Sequence, residues 1–223
     1  MGSRSVVIPL VAALLCGGGR TLAAQEAQPG PDSATALVQR AGSSRALGAK
    51  NAAVTVFEVG DFQCPFCAQF ANQTFGRIDS AFVRTGKVQW VFINMPLTIH
   101  PNAFQAAEAA LCAGAVAGKF WAMHERLYRS QPEWTASPDP FPIFLRYARD
   151  AGVPEAPYSS CVRTERVWPV ILRDATYAAA ARIDGTPTYI IGQQVVAVGV
   201  KSYDEWKTIL DKAIQGTAAK KTP

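Results

Sequence analysis

Apolar and polar positions alternate between two periods along the chain. Residues 53–59, AVTVFEV, are β-branched and apolar and predict a buried strand. From Pro65 to about Thr85 the period changes: Phe66, Phe70, Phe75, Ile78 and Phe82 recur at helical spacing, and Gly86 ends the run. KVQWVFINM (87–95) reads as a second strand, which completes a strand–helix–strand unit of a parallel sheet. A long helical stretch follows. NAFQAAEAALCAGAVA (102–117) is alanine-rich, KFWAMHERLYRS (119–130) is amphipathic, and the four prolines of QPEWTASPDPFP (131–142) break the pattern. IFLRYARDAG (143–152) and RVWPVILRDATYAAAARI (166–183) resume it, with Pro169 placed in a first helical turn. PTYIIG and QVVAVG predict two short strands around a glycine-containing turn, and SYDEWKTILDKAI (202–214) a closing helix.

The two ends read differently. Arg4, the eleven-residue apolar run VVIPLVAALLC (6–16) and the small residues of TLAAQ (21–25) have the form of a secretory signal peptide over residues 1–24, too short to span a bilayer comfortably. A lipid attached at Cys16 needs a small residue before it, and Leu15 stands there. Residues 25–50 read as a loose leader with one helical turn set around SATALVQRA, and 217–223 as a tail. The remaining division is 51–99 and 184–216 for the α/β part and 100–183 for a helical insertion.

Composition changes this picture little: 49% hydrophobic, 10% aromatic and 17% charged residues in 223 are ordinary for a globular protein. Loss of residues 1–24 would remove Arg4 and Arg20 and no acid, lowering the formal charge from +5 to +3. With Lys220-Lys221 as its one basic run, the sequence makes no case for a nucleic-acid partner. Export would leave Cys64, Cys67, Cys112 and Cys161 in a compartment where disulfides persist.

Chemistry concentrates in GDFQCPFCAQF (60–70), at the first strand-to-helix junction. A C-x-x-C serves as half a zinc site, a structural clip or a redox dithiol. Zinc needs two further ligands at close spacing, whereas the two histidines, His100 and His124, are far from it and no second C-x-x-C exists. A clip closing so short a loop restrains the unfolded chain little. With Cys64 at the helix N-cap, Pro65 takes the first helical position. The N–H groups of Phe66 and Cys67 then point back at the Cys64 sulfur together with the positive helix end, which lowers its pKa. Cys67, one turn inside, is shielded and resolves the mixed disulfide. Strand alternation puts Glu58 on one face with Val54 and Val56, where burial would raise its pKa and allow proton exchange with Cys67; the alternative is a glutamate reaching water at the strand end. Asp61 reads as a loop residue, His100 as a loop histidine bonded to backbone, and His124 and Trp121 as helix packing; Phe66 and Tyr189 are candidates for an apolar landing surface for unfolded chains.

The segments LGAKNAAVTVFEVGDFQCPFCAQF (47–70), HPNAFQAAEAALCA (100–113), GKFWAMHERLY (118–128) and DGTPTYIIG (184–192), in this order and spacing, resemble the DsbA-like branch of the thioredoxin superfamily. The resemblance implies an α/β thioredoxin fold, βαβ and ββα, interrupted by a helical domain. It also implies a buried acid at Glu58 beneath the resolving cysteine and a cis-proline at Pro187 facing the C-x-x-C. Thr186 and Pro187 would then receive an extended substrate chain by strand addition. Some DsbA-like relatives carry an extra cysteine pair in the helical domain, which points to a Cys112–Cys161 disulfide; the alternative is two buried free thiols.

The expectation is an exported thiol–disulfide oxidoreductase, periplasmic or otherwise extracytoplasmic, without metal or nucleotide cofactor, its redox group being Cys64–Cys67. Its partners would be reduced exported proteins and a membrane protein that recycles the pair. An isomerase or reductase is the rival; DsbC-like isomerases add an N-terminal dimerisation domain, for which residues 25–50 are too few and too polar, so a monomer is expected. A non-catalytic peptide-binding module would have no use for the whole set Glu58, Cys64, Cys67, Thr186 and Pro187. Pro65 and Phe66 offer the thiolate no side-chain donor, and threonine before the cis-proline is shared with DsbC- and DsbG-like isomerases. Both features place the expected potential between roughly −120 and −270 mV, the DsbA and thioredoxin limits.

Overall fold

The chain was described from a computed structural model that covers residues 33–219, together with Met1 and Gly2. The expected signal peptide falls, from residue 3 on, outside the described residues, as do the start of the leader and the tail from 220. Ser33 caps the first helix, its hydroxyl accepting from Ala36 N at 3.1 Å, and α1 (Ala34–Ser44) leads into a two-residue strand, β1 (Ala46–Leu47). From Ser33 on, the leader is thus no loose segment. α1 packs along the alanine-rich α4 (Ala103–Ala117), where a Cβ on Gly114 would meet Ser44 Oγ at 2.1 Å, so only glycine admits this approach. Arg45, just past α1, donates from Nη1 to Asp174 at 2.5 Å and to the carbonyl of Phe92 at 3.0 Å, a buried ion pair that fastens the segment to the rest of the fold.

β2 (Val54–Gly60) and β3 (Val88–Asn94) pair in parallel, as the strand–helix–strand reading requires. β4 (Thr188–Ile191) and β5 (Gln194–Val198) follow as an antiparallel hairpin, and the five strands lie in the order β1-β3-β2-β4-β5. β2 is therefore central, with partners on both sides, and its C-terminal end delivers the chain to the cysteine motif. A Cβ on Gly60 would strike the Phe92 ring at 2.6 Å, which fixes glycine where the strand ends.

The expected single helix after β2 is segmented: α2 (Pro65–Phe70), a π turn (Ala71–Phe75), α3 (Gly76–Ile78) and a second π turn (Asp79–Val83). The five-residue step from Phe70 to Phe75 explains the first. A regular α-helix would rotate Phe75 away from the face of Phe70, and one wide turn absorbs the extra residue and keeps both rings in the core.

The helical insertion consists of α4, α5 (Phe120–Arg129), the short α6 (Gln131–Trp134), α7 (Phe141–Asp150), α8 (Glu155–Arg163) and α9 (Trp168–Ala180). α6 and α8 were not evident in the sequence. α10 (Tyr203–Ala219) closes the chain, started by a reciprocal cap in which Ser202 N donates to Glu205 and Glu205 N to Ser202 Oγ. α4 is buried nearly all round and forms the centre of the insertion's core. A second core, with Phe70, Trp90, Tyr189 and Trp206, fills one face of the sheet. Phe62, Cys64 and Cys67 belong to the first core, which puts the cysteine motif at the seam between sheet and insertion.

Candidate active site

Cys64 occupies the N-cap of α2 with extended backbone and Pro65 opens the helix. Both cysteines carry free thiols. Cys64 keeps 4% exposure and Cys67 none. Cys64 Sγ lies 3.4 Å from the carbonyl oxygen of Thr186, and the Thr186–Pro187 peptide is cis. The Cys64 thiol is pulled down to about 6, foremost by the neighbouring Cys67 thiol, which can donate to the thiolate. The Thr186 side chain and the first-turn amides of Cys67 and Phe66 add to this, although none of those amides closes a capping hydrogen bond on the sulfur. Burial acts the other way and is outweighed. Cys67 is pushed far up, first by burial and then by Cys64, so the pair divides into one ionised and one protonated sulfur.

Glu58 lies on β2, beside Phe92 on β3 and Tyr189 on β4. It is buried, and burial raises its carboxyl to about 7 against the opposing hydrogen bond from Trp90 Nε1 to Oε2 at 2.7 Å. Oε1 has no hydrogen-bond partner among the described residues. Its charge is among the influences that hold Cys67 protonated.

The family profile described as Thioredoxin matches residues 40–212. The chain belongs to the thioredoxin family. Within it, the architecture is that of the DsbA-like proteins, a thioredoxin fold interrupted by a helical domain. The crystal structure of oxidised BdbD from Bacillus subtilis shares it with a TM-score of 0.68 and 26% identity, covering 77% of this chain and 93% of that one. Disulfide bond formation protein D of Bacillus subtilis is 26% identical over 176 residues, 76% of this chain and 77% of the relative. The Na(+)/H(+) antiporter NhaA 3 of Salinispora tropica is 33% identical over 145 residues, 65% of this chain, so the chain spans about a fifth, 21%, of that relative's length.

The loop that carries Cys64 is held by polar residues whose roles are not local in sequence. Asp61, expected as a plain loop residue, is buried. Its carboxylate accepts from Gln63 N at 2.7 Å, Leu97 N at 2.8 Å and His100 Nδ1 at 2.8 Å. His100 therefore binds a side chain through its ring, contrary to the backbone partner expected for it, because the loop 96–100 folds directly onto Asp61. From the insertion, Gln131 Nε2 donates to the carbonyls of Phe62 at 2.8 Å and Cys64 at 3.1 Å, and Tyr128 Oη donates to the Asp61 carbonyl at 3.2 Å. Asn102 N donates to Gln63 Oε1 at 2.7 Å. The one available signal was the cluster of hydrogen-bonding residues around the motif, and only the fold brings it together.

Phe66 is 59% exposed beside Cys64, while Tyr189 is fully buried among Phe70, Trp90 and Trp206. Tyr189 thus has no place in a landing surface; its pairing with Glu58 on the central strand turns it inward. His124 is buried in a cage that includes Phe62, Phe92 and Tyr128, where burial lowers it to about 3 and keeps it neutral. Trp121 packs between the two cores. Cys112 and Cys161 are joined by a disulfide between α4 and α8. Among the described residues no cluster of metal-ligating side chains occurs, and no helix is long and apolar enough to cross a membrane.

Proposed function

We propose that this chain is an exported thiol–disulfide oxidoreductase that transfers its Cys64–Cys67 disulfide to reduced proteins outside the cytoplasm. The observation that carries this is the split between a low-pKa thiol on a helix N-cap and a fully shielded protonated thiol three residues on. In the oxidised enzyme, a substrate thiolate attacks Cys64 Sγ, the one sulfur with exposure. The Cys64–Cys67 bond breaks, and its electron pair leaves on Cys67. Cys67 takes up a proton, which Glu58 supplies with a carboxyl tuned near neutrality. A second substrate thiolate then attacks the substrate sulfur of the mixed disulfide. The substrate leaves with a new disulfide, two electrons remain on the enzyme, and Cys64 leaves as a thiolate, a good leaving group because of its low pKa. Thr186 and Pro187, with the Thr186 carbonyl at Cys64, receive the substrate chain, and exposed Phe66 meets its apolar side chains.

The redox group is the cysteine pair alone, and a membrane redox partner reoxidises it. Export rests on the signal-peptide pattern of residues 1–24 and is supported by the disulfide bond formation relatives. Equilibration with glutathione buffers tests the reading. A potential between about −120 and −270 mV, towards the middle, is expected. A value below about −270 mV makes the protein a reductase and overturns the oxidase assignment.

A further inference from the structure

A cavity of ≈ 540 Å³ lies in the helical insertion between α4, α7, α8 and the first residue of α9. Its wall is aromatic: Phe104, Phe141, Phe144, Tyr158 and Trp168 line it, with Phe104 and Trp168 edge to face at 5.1 Å. Its charge is one-sided, since Glu108, Asp139 and Glu165 line it against the single cation Arg163. Glu108 is a buried carboxylate on the helix at the centre of this core. Trp168 Nε1 donates to it at 2.8 Å, and among the described residues no cation pairs with it. Tyr158, wholly buried, is also among the residues around the cavity, and its hydroxyl has no hydrogen-bond partner among the described residues.

A buried carboxylate with one neutral donor and no paired cation, and a buried hydroxyl without a partner among the described residues, are both costly, and packing alone explains neither, because glutamine or phenylalanine would fill the same space. Both costs vanish if the cavity holds a cation. The faces of aromatic rings attract an ammonium group, a carboxylate neutralises it, and a hydroxyl bonds to its polar substituent. The volume is in the range of small-molecule sites. The Cys112–Cys161 disulfide lies one turn from Glu108 on α4 and from Tyr158 on α8, so the two groups are held at a fixed separation before any ligand arrives. Burial, reinforced by Glu165, raises Glu108 to about 7 against the Trp168 hydrogen bond, a penalty that a bound cation would lift.

We propose that this cavity binds a small organic ammonium cation, with Glu108 as its counter-ion, Tyr158 as its hydrogen-bond partner and the aromatic wall around it. The site is separate from the thiol chemistry and does not depend on the oxidoreductase reading.

The test is a titration of the intact, oxidised, ¹⁵N-labelled protein with choline and with benzyltrimethylammonium, following the assigned indole Nε1–H signal of Trp168. A saturable shift with at least one cation is expected. The neutral isostere of choline, 3,3-dimethylbutan-1-ol, should bind at least about tenfold more weakly, and Glu108→Gln should weaken the cation at least about tenfold. Tyr158→Phe should weaken choline, which has a hydroxyl, more than benzyltrimethylammonium, which has none. Absence of a saturable shift with both cations, equal binding of the neutral isostere, or full affinity in Glu108→Gln overturns the proposal. If Glu108→Gln does not fold, the comparison of choline with its isostere on the unaltered protein decides alone.

Discussion

The two cysteine pairs use the same atoms in opposite surroundings. Cys112 and Cys161 lie in the alanine-rich core of the insertion, 49 residues apart in sequence, bonded to each other and sealed from water. Cys64 and Cys67 are three residues apart at a helix start, where the loop before them is gripped by Asp61, Gln131 and Tyr128 and one sulfur keeps a sliver of exposure. The first pair closes a long loop and can only stabilise. The second closes almost none, so its bond energy is free for exchange. Surroundings, rather than residue type, separate the staple from the reagent.

The largest expected effect comes from removing the attacking sulfur. Cys64→Ser should abolish oxidation of a reduced, unfolded protein and form no mixed disulfides. Cys67→Ser should accumulate them, visible as high-mass species on non-reducing gels. If Cys64→Ser traps substrates, the roles of the two sulfurs are reversed. Next in size is the staple: replacing both Cys112 and Cys161 by Ala should cost about 4 kcal/mol of stability in urea unfolding, from the chain entropy of a loop of this length. The reactivity of Cys64 should stay unchanged, and a large loss of exchange rate would show that the two pairs are coupled.

The parallel strand–helix–strand unit, the helical insertion and the position of the C-x-x-C were legible because each rests on a periodic pattern or a junction between two periods. The π turns were legible only in hindsight, through the five-residue step from Phe70 to Phe75. α1 was taken for a loose leader because its small residues carry no strong apolar stripe; its stability comes from close packing on Gly114 and the Arg45–Asp174 pair, neither local in sequence. The site divides in the same way. Cys64, Cys67 and Glu58 follow from the motif and strand alternation, whereas the grip of His100, Asn102 and Gln131 on residues 61–64 joins positions up to 69 residues apart. Tyr189 misled because tyrosine suits both a landing surface and a core.

A smaller effect separates proton transfer from packing at Glu58. Its folded value of about 7 lies above the ordinary carboxyl value of 4.5, so the folded protein holds this proton more tightly, and stability should fall as pH rises from about 4.5 to 7. Glu58→Gln should flatten that fall and slow proton-coupled exchange at Cys67 by roughly 100-fold in stopped-flow assays. Unchanged exchange kinetics would leave Glu58 as a packing residue. Smallest is Thr186→Val, which removes a hydroxyl that draws the Cys64 pKa down although it has no hydrogen-bond partner among the described residues. It should raise the Cys64 pKa by less than about one unit, or about 1.4 kcal/mol, read from thiolate absorbance; no change would assign the effect to Cys67 and the first-turn amides.

The measurement closest to the central claim is the rate of alkylation of each cysteine in the reduced protein as a function of pH, read by peptide mass spectrometry after a brief pulse of reagent. Cys64 should be labelled along a titration centred near pH 6, and Cys67 should stay unlabelled until far higher pH. Faster labelling of Cys67, or a Cys64 midpoint near the free-thiol value of about 8.5, would contradict the division of labour on which the account rests.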